Sequence, residues 1–109
     1  MKVFTSDEDF NKELKEYPIV IALFGSKTCM PCVSLKQKLD VWQQGHQQVK
    51  TIYIPVEEEL AFAASQQVFT APTILVYVEG KISLKESGYF SLDRMLEKVE
   101  HYLEYFDEQ

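Results

Sequence analysis

The distribution of apolar and polar positions along the 109 residues predicts five strands. Ile19–Phe24 is an uninterrupted apolar run rich in branched side chains, which is typical of a strand covered by helices on both faces. In the last third of the chain, Glu79-Gly80 separates an apolar run from an alternating one. This pattern predicts an antiparallel hairpin with a tight turn and a half-exposed second strand. The predicted strands are Val3–Phe4, Ile19–Phe24, Val49–Ile54, Thr73–Val78 and Lys81–Lys85.

Apolar residues recur at helical spacing in four further segments. The first begins with a cap at Ser6 and ends near Tyr17-Pro18, and the second runs from about Pro31 to Gln43. The third follows the acidic run Glu57–Glu59, whose charges suit the positive end of a helix, and the fourth follows a cap at Ser91. The apolar positions that predict these helices are Phe10 and Leu14, then Leu35, Leu39 and Trp42, then Leu60, Ala61, Ala64 and Val68, and finally Leu92, Met95, Leu96, Val99, Leu103 and Phe106.

The resulting element order is β-α-β-α-β-α-β-β-α, which predicts an α/β fold. The first strands need crossover helices between them and are expected to run parallel, whereas the last two form a hairpin. The predicted architecture is a three-layer α/β/α sandwich around a central mixed sheet. No linker, repeat or low-complexity segment interrupts the chain, and 46% apolar residues can form a core, so residues 1–109 are expected to form a single domain.

A formal net charge of −6 and a pI near 4.9 argue against binding to polyphosphate or anionic lipid, so no nucleic-acid or membrane partner is expected. The longest apolar run, Ile19–Phe24, is far shorter than the roughly twenty residues that span a bilayer. The first residues lack the apolar stretch of a signal peptide. We therefore expect a soluble cytoplasmic protein, and we expect a monomer.

The two cysteines of the chain, Cys29 and Cys32, lie three positions apart at the start of the second predicted helix. This spacing places both on one face of the first turn, within the roughly 4.4–6.8 Å Cα separation that a disulfide requires. Unpaired amides and the helix dipole favour a thiolate there, which activates Cys29 as the nucleophile and leaves Cys32 as the resolving thiol. Pro31 presets the backbone of the first turn, Met30 offers a soft apolar contact, and Lys27 adds a positive charge nearby.

Two other uses of the cysteine pair stay open at this point. A structural disulfide that closes so short a loop supplies only about 2 kcal/mol on the chain-entropy model, and a reducing cytosol would open it. A zinc site needs two further ligands, for which the chain offers His46 and His101 but no second close-spaced pair. No metal site and no cofactor are therefore predicted.

A second motif, Thr70-Ala71-Pro72-Thr73, lies just before the predicted hairpin, and Gly88 follows the hairpin. Together with the motif Cys29-Met30-Pro31-Cys32 after a buried strand, it resembles the thioredoxin family across nearly the whole chain. The resemblance implies a thioredoxin fold, a cis peptide bond before Pro72, and packing of that proline against the cysteine pair. It also implies that Ala71, Pro72 and Gly88 bind an extended substrate. The groove for that substrate would be completed by Met30, Phe69 and Ser87, with Tyr89 and Phe90 at its apolar rim.

Besides Met30, which stands where the family has glycine before Pro31, three positions depart from the family's pattern. Thr28 stands where the family usually has tryptophan, Leu23 where it has a buried aspartate, and Gln37 where a proline kinks the helix. Without the carboxylate, Cys32 is expected in a drier, uncharged setting that raises the pKa of its thiol and slows the release of mixed disulfides. Without the proline, the helix is expected to run straighter.

Two functional hypotheses from different classes follow. The first is an enzyme, a thiol-disulfide oxidoreductase that reduces protein disulfides and is regenerated by a thioredoxin reductase or a low-molecular-weight thiol. The second is a binding or adaptor module with the same fold, whose cysteines sense redox state or are incidental. The departures at Thr28 and Leu23 favour the second hypothesis. The two differ in whether partner binding survives the loss of both cysteines.

Overall fold

The structure is a computed structural model that describes residues 1–107. Residues 108 and 109 of the predicted domain lie outside the described residues, and the single domain over 1–109 stays a prediction. Within the described range the elements follow the predicted order, although the first strand lies one residue earlier and the last extends two residues further. The elements are β1 (Lys2–Val3), α1 (Asp7–Glu16), β2 (Ile19–Gly25), α2 (Met30–Gln44), β3 (Val49–Pro55), α3 (Leu60–Ser65), β4 (Thr73–Val78), β5 (Lys81–Ser87) and α4 (Leu92–Asp107).

The five strands form one mixed sheet in the order β1-β3-β2-β4-β5. β3 pairs in parallel with both β1 and β2, with Leu23 of β2 opposite Tyr53 of β3. β4 pairs antiparallel with β2, with Phe24 opposite Thr73, and β5 continues antiparallel from β4. The predicted thioredoxin fold with a central mixed sheet is confirmed.

The hairpin between β4 and β5 turns at Glu79 and Gly80, as predicted. Both residues have positive φ angles, 51° and 82°, which is the backbone of a two-residue turn that matches the twist of the flanking strands. Glycine adopts this conformation without steric cost, which explains why Gly80 occupies the second position. The register between the two strands shifts between Val76 and Tyr77, so β5 carries a local irregularity rather than a continuous ladder.

Two apolar layers lie on opposite faces of the sheet because alternate side chains of a strand point to opposite sides. Val20, Ala22 and Phe24 of β2 pack with residues of α1 and α3 on one face. The remaining β2 side chains pack on the other face with residues of α2 and α4. β2 is buried along its whole length, as its apolar run predicted. The members of the second layer from the helices are Leu39, Leu92, Met95, Leu96, Val99 and Leu103.

Two of the predicted helix starts are visible as side-chain caps. The backbone N–H of Asp9 donates to Ser6 Oγ at 3.1 Å, and the N–H of Arg94 donates to Ser91 Oγ at 3.2 Å. Each bond satisfies one of the amides that a helix leaves unpaired in its first turn. The apolar face predicted for α4 is confirmed, since its residues from Leu92 to Leu103 at helical spacing are buried.

The face predicted for α3 is wrong. Leu60 is 67% exposed and Ala61 and Ala64 also face solvent, whereas Phe62 and Ala63 are the buried residues of this helix. α3 has only six residues, too few for its own periodicity to decide which side faces the sheet. The position of Phe62 decides it, because that ring lies among three other phenylalanines.

An aromatic cluster around Phe62 joins α3 to α1, to β2 and to the segment after β1. The ring centroid of Phe62 lies 4.4 Å from that of Phe4 in a stacked arrangement and 4.9 Å from that of Phe10 edge to face. Phe24 of the central strand stacks on it more distantly, at 6.2 Å. Such pairs add to the free energy gained from burial, so this cluster fixes α3 and the start of the chain against the sheet.

None of the helices within residues 1–107 has both the length and the apolar composition required to cross a bilayer.

The substitution Phe62→Ala is expected to lower the free energy of unfolding by about 3–5 kcal/mol, because it leaves a cavity between three aromatic rings. The matched control Leu60→Ala, two residues earlier in the same helix, should stay within about 0.5 kcal/mol of the wild type because Leu60 is exposed. Urea denaturation followed by tryptophan fluorescence measures both. Equal effects of the two substitutions would contradict the orientation of α3.

Candidate active site

Both cysteines are positioned by the turn that joins β2 to α2. β2 ends at Gly25, and the N–H of Cys29 donates to the carbonyl of Ser26 at 3.2 Å, which closes the turn. Cys29 has extended backbone angles, φ −90° and ψ 99°, and is the N-cap of α2. The turn therefore places Cys29 at the N-cap of α2 and Cys32 in its first turn, at the helix N-terminus that the sequence predicted.

Cys29 and Cys32 form a disulfide with a Cα separation of 5.4 Å. The N–H of Cys32 donates to the carbonyl of Cys29 at 3.2 Å, so the two residues are also joined through the backbone. Pro31 lies within the first turn, where its missing N–H breaks no helical hydrogen bond. Cys29 is 9% exposed and Cys32 3%, so Cys29 is the more exposed residue of the pair.

The N-terminus of α2 carries no negative charge of its own. No side chain accepts a hydrogen bond at the Cys29 cap, and no acidic residue lies in the first turn. The unpaired amides and the positive end of the helix dipole are therefore left for an anion at the cap. In the reduced protein this environment favours a thiolate over a thiol at Cys29, and exposed Lys27 adds positive charge to the same turn.

The loop before β4 reaches the same edge of the sheet. Because Phe24 pairs with Thr73, the next residue of the loop, Pro72, lies across from Gly25 at the end of β2. The Ala71–Pro72 peptide bond is cis, as the resemblance implied, and the N–H of Gly88 donates to the carbonyl of Pro72 at 3.1 Å. The structure thus brings Ala71, Pro72 and Gly88 to the edge that carries the cysteines.

Thr73 fastens this loop to its neighbours. Its buried hydroxyl donates to the carbonyl of Thr70 at 2.8 Å and lies 3.0 Å from Ser87 Oγ. One side chain therefore holds the loop before Pro72 and the end of β5 in a fixed relation. A buried hydroxyl with these partners makes the loop rigid rather than adaptable.

Exposed apolar side chains surround the buried disulfide. Met30 is 82% exposed, Phe69 is 75% exposed, and Tyr89 is fully exposed. A groove of about 340 Å³ runs between the start of α2 and the segment after β5, beside Pro31. Phe90, predicted at the rim, is partly buried and packs against the core. The groove is lined by Pro31, Ser34, Leu35, Gly88, Tyr89 and Phe90.

The three departures from the family's pattern have clear positions. Leu23 is completely buried in the layer that packs against α2 and α4. Thr28 is exposed, and its hydroxyl lies 3.3 Å from that of Ser26 in the turn before Cys29. Gln37 lies inside α2, which is one continuous helix from Met30 to Gln44.

A second groove, of about 450 Å³, opens beside Cys32 on the other side of the site. Its sheet wall carries Tyr53, the strand neighbour of Leu23, and Lys36 from α2 lies above the Tyr53 ring. The expectation of an uncharged setting for Cys32 is therefore incomplete. No sequence motif singled out Tyr53. Its position near the carboxyl end of β3, which runs parallel to β2, nevertheless places it at the same end of the sheet as Cys29.

His46 follows the end of α2 that is remote from the cysteines, and His101 lies on α4. The His46 ring stacks on Trp42 with centroids 3.8 Å apart and lies 3.2 Å from Glu100, while His101 lies beside Glu104 on α4. Within residues 1–107, no group of three or more histidine, cysteine, aspartate or glutamate residues is arranged to hold a metal ion. The zinc alternative therefore finds no second half of a site in this range.

Comparison with known proteins agrees with this geometry. The family model described as Thioredoxin matches residues 1–101. No curated protein matches the chain. Similar solved structures include a mutant thioredoxin from Halobacterium salinarum, with a TM-score of 0.85 and 20% identity over 93% of this chain and 88% of that one. Another is the oxidised thioredoxin from Plasmodium falciparum, with a TM-score of 0.81 and 22% identity over 91% of this chain and 97% of that one.

The thioredoxin of Fasciola hepatica is similar to the same degree, with a TM-score of 0.80 and 21% identity over 93% of this chain and 98% of that one. At these identities the structures show the fold alone, and the family model shows membership. The Cys29–Cys32 spacing on this fold points to thiol-disulfide exchange. The chain belongs to the thioredoxin family.

Proposed function

We propose that this protein is a cytoplasmic protein-disulfide reductase that acts as a monomer, with Cys29 as the nucleophile and Cys32 as the resolving thiol. The observation that carries the proposal is the cysteine pair at the N-terminus of α2, whose first turn has no acidic residue, with the more exposed cysteine at the cap. The proposed regenerating partner is a thioredoxin reductase or a low-molecular-weight thiol, since the cysteine pair must return to the dithiol after each cycle.

The proposed cycle has two exchanges. The Cys29 thiolate attacks one sulfur of a substrate disulfide, the substrate's S–S bond breaks, and its other sulfur leaves as a thiolate. Cys32 then attacks Cys29 Sγ, which forms the Cys29–Cys32 bond and releases the first substrate sulfur. The substrate gains two electrons and the cysteine pair loses two, so the proposed cycle ends with a Cys29–Cys32 disulfide, the bond that is present in the structure.

A second candidate function is a binding module, and the apolar rim favours it. In the structure this rim consists of the exposed side chains of Met30, Phe69 and Tyr89. Their large apolar surface does not depend on the cysteines. In a reductase the same rim binds the substrate chain on either side of its disulfide. The two functions are separated by asking whether the partner stays bound when both thiols are removed.

Replacing either cysteine by serine is expected to stop turnover, with different end points. Cys29→Ser removes the nucleophile, so reduction of insulin disulfides should fall to the uncatalysed rate. Cys32→Ser leaves the nucleophile without its resolving thiol, so mixed disulfides with substrate proteins should accumulate at Cys29. Insulin turbidity and non-reducing mass spectrometry measure the two outcomes.

The control for the binding alternative is the double variant C29S/C32S, which keeps the rim intact. In a reductase, proteins captured by Cys32→Ser are released by dithiothreitol and are absent from the double variant. Proteins that stay bound to the double variant and are not released by dithiothreitol would favour the binding module. Equal inertness of the wild type and Cys29→Ser with several reductants would exclude the enzyme.

Phe69→Ala is expected to lower kcat/KM for insulin by about tenfold, because an exposed aromatic contact with the substrate chain is lost. The rate with a small aromatic disulfide should stay unchanged, since that reagent reaches Cys29 without the rim. Val41→Ala is the matched control, because Val41 is comparably exposed on α2 but lies several turns from the cysteines. A loss of equal size with both substrates would contradict a role for Phe69 in binding.

A further inference from the structure

Cys32 borders a groove whose lining residues are mostly polar. The groove lies between α2 and the carboxyl ends of β2 and β3, on the side of the site away from Gly88. Its volume of about 450 Å³ is large enough for several water molecules. Its polar lining consists of Ser26, Lys27, Lys36, Gln37, Asp40 and Tyr53.

The sheet places Tyr53 beneath the first turns of α2. Tyr53 is the parallel strand partner of Leu23, and both belong to the layer that α2 covers. Leu23 is fully buried and offers Cys32 no hydrogen-bonding group. Of the two paired residues Leu23 and Tyr53, only Tyr53 offers a polar group, its phenol, on the face of the sheet that α2 covers.

Gly25 makes room for the Tyr53 ring. A Cβ atom at Gly25 would lie 2.7 Å from Cε2 of Tyr53 and 2.9 Å from its hydroxyl oxygen, closer than nonbonded atoms approach. The hydroxyl thus rests over the last residue of β2, at the base of the turn that leads to the cysteines. Any larger residue at position 25 would push the ring out of this place.

Charged groups meet the ring from two sides. Lys36 lies one helical turn after Cys32, and its ammonium nitrogen is 4.9 Å from the centroid of the Tyr53 ring, a cation–π contact. Glu57 and Glu58, in the turn after β3, act on Tyr53 with the opposite sign. Burial and these two carboxylates raise the pKa of Tyr53, so the phenol keeps its proton at neutral pH.

The other charged groups of the groove lie further along. Lys27 stands in the turn before Cys29 and is exposed. Asp40 lies two turns beyond Cys32 on α2, and its carboxylate pairs with the amino group of Met1 at 2.8 Å. Asp40 is therefore occupied and about 12 Å from Cys32 along the helix axis, too far to act as its base.

We propose that Tyr53 assists Cys32 in the resolving step, by donating a hydrogen bond to the Cys32 thiolate while Lys36, whose ammonium group lies over the same ring, supplies positive charge. The proposal rests on the function proposed above and names the groups that replace a buried carboxylate. The Cys32 thiol loses its proton to water in the groove. The thiolate attacks Cys29 Sγ, the Cys29–Cys32 bond forms, and the substrate sulfur leaves as a thiolate.

The two exchanges separate in time when the reduced protein reacts with 5,5′-dithiobis(2-nitrobenzoate). The first equivalent of the yellow thiolate appears as Cys29 attacks, and the second as Cys32 displaces the aromatic thiol from Cys29. In Tyr53→Phe the second phase should slow by about tenfold at neutral pH, and its pH midpoint should move upward, because the thiolate loses a hydrogen bond. The first phase should match that of the wild type.

Two further variants complete the test. Tyr77→Phe is the matched control, since it removes a phenol oxygen from the same sheet where that oxygen donates to Gln66 at 2.6 Å, on the opposite face. Both of its phases should match the wild type. Gly25→Ala, with folding checked by circular dichroism, displaces the ring and should reproduce the slow second phase of Tyr53→Phe.

The outcomes are distinguishable. If the second phase of Tyr53→Phe or of folded Gly25→Ala has the wild-type rate and pH midpoint, the assignment of Tyr53 is overturned. The proposed reductase function is not affected by that result. Slowing of both phases to the same degree assigns Tyr53 a structural role and also overturns it. A wild-type protein that releases no second equivalent would instead refute the two-step reductase cycle itself.

Discussion

The pairing of β2 with β3 on one side and β4 on the other is the constraint on which the whole molecule depends. β2 is buried throughout, so every backbone amide and carbonyl of the strand must find its partner in the sheet. A shift of one residue in either register would exchange the two apolar layers. The sheet therefore fixes, at its centre, which side chains face each helical layer.

The register of the strands also fixes the relative positions of the residues in the candidate site. Gly25 ends β2, Pro55 ends β3, and Pro72 precedes β4, so three connections meet at one edge of the sheet. Each is tied to its neighbour by backbone hydrogen bonds: Val56 N–H donates to Gly25, and Gly88 N–H donates to Pro72. Loops attached to rigid strands in this way hold reactive groups with little freedom, which a repeated exchange between two sulfurs requires.

Sequence patterns could predict what depends on neighbours along the chain. The element order, the caps at Ser6 and Ser91 and the turn at Gly80 follow from local signals, and the structure confirms them. The placement of the cysteine pair followed from its spacing and from the helix that begins there.

What could not be predicted depends on contacts between distant segments. α3 has six residues, and its buried face is set by the ring of Phe62 among aromatic residues of α1, of β2 and of the segment after β1. Tyr53 gains its place only through the register of β3 against β2 and through the absence of a side chain at Gly25. Neither relation leaves a periodic trace in the sequence, because each joins residues far apart along the chain.

The exchange of a buried carboxylate for Leu23 and Tyr53 changes the balance between stability and chemistry. A carboxylate buried beneath α2 costs free energy unless it is paired, whereas a buried leucine contributes about 2 kcal/mol. The phenol keeps the strand pair neutral, and its ring also packs against the core.

The phenol of Tyr53 can donate a hydrogen bond to an anion. At neutral pH it cannot take up a proton, because it already carries one: burial and the carboxylates of Glu57 and Glu58 raise its pKa. The proton of Cys32 must then leave through water, and the open groove beside α2 provides that route. In this fold a phenol that stabilises the Cys32 thiolate, together with a groove open to water, can therefore replace a buried base. The central strand of the core then stays apolar.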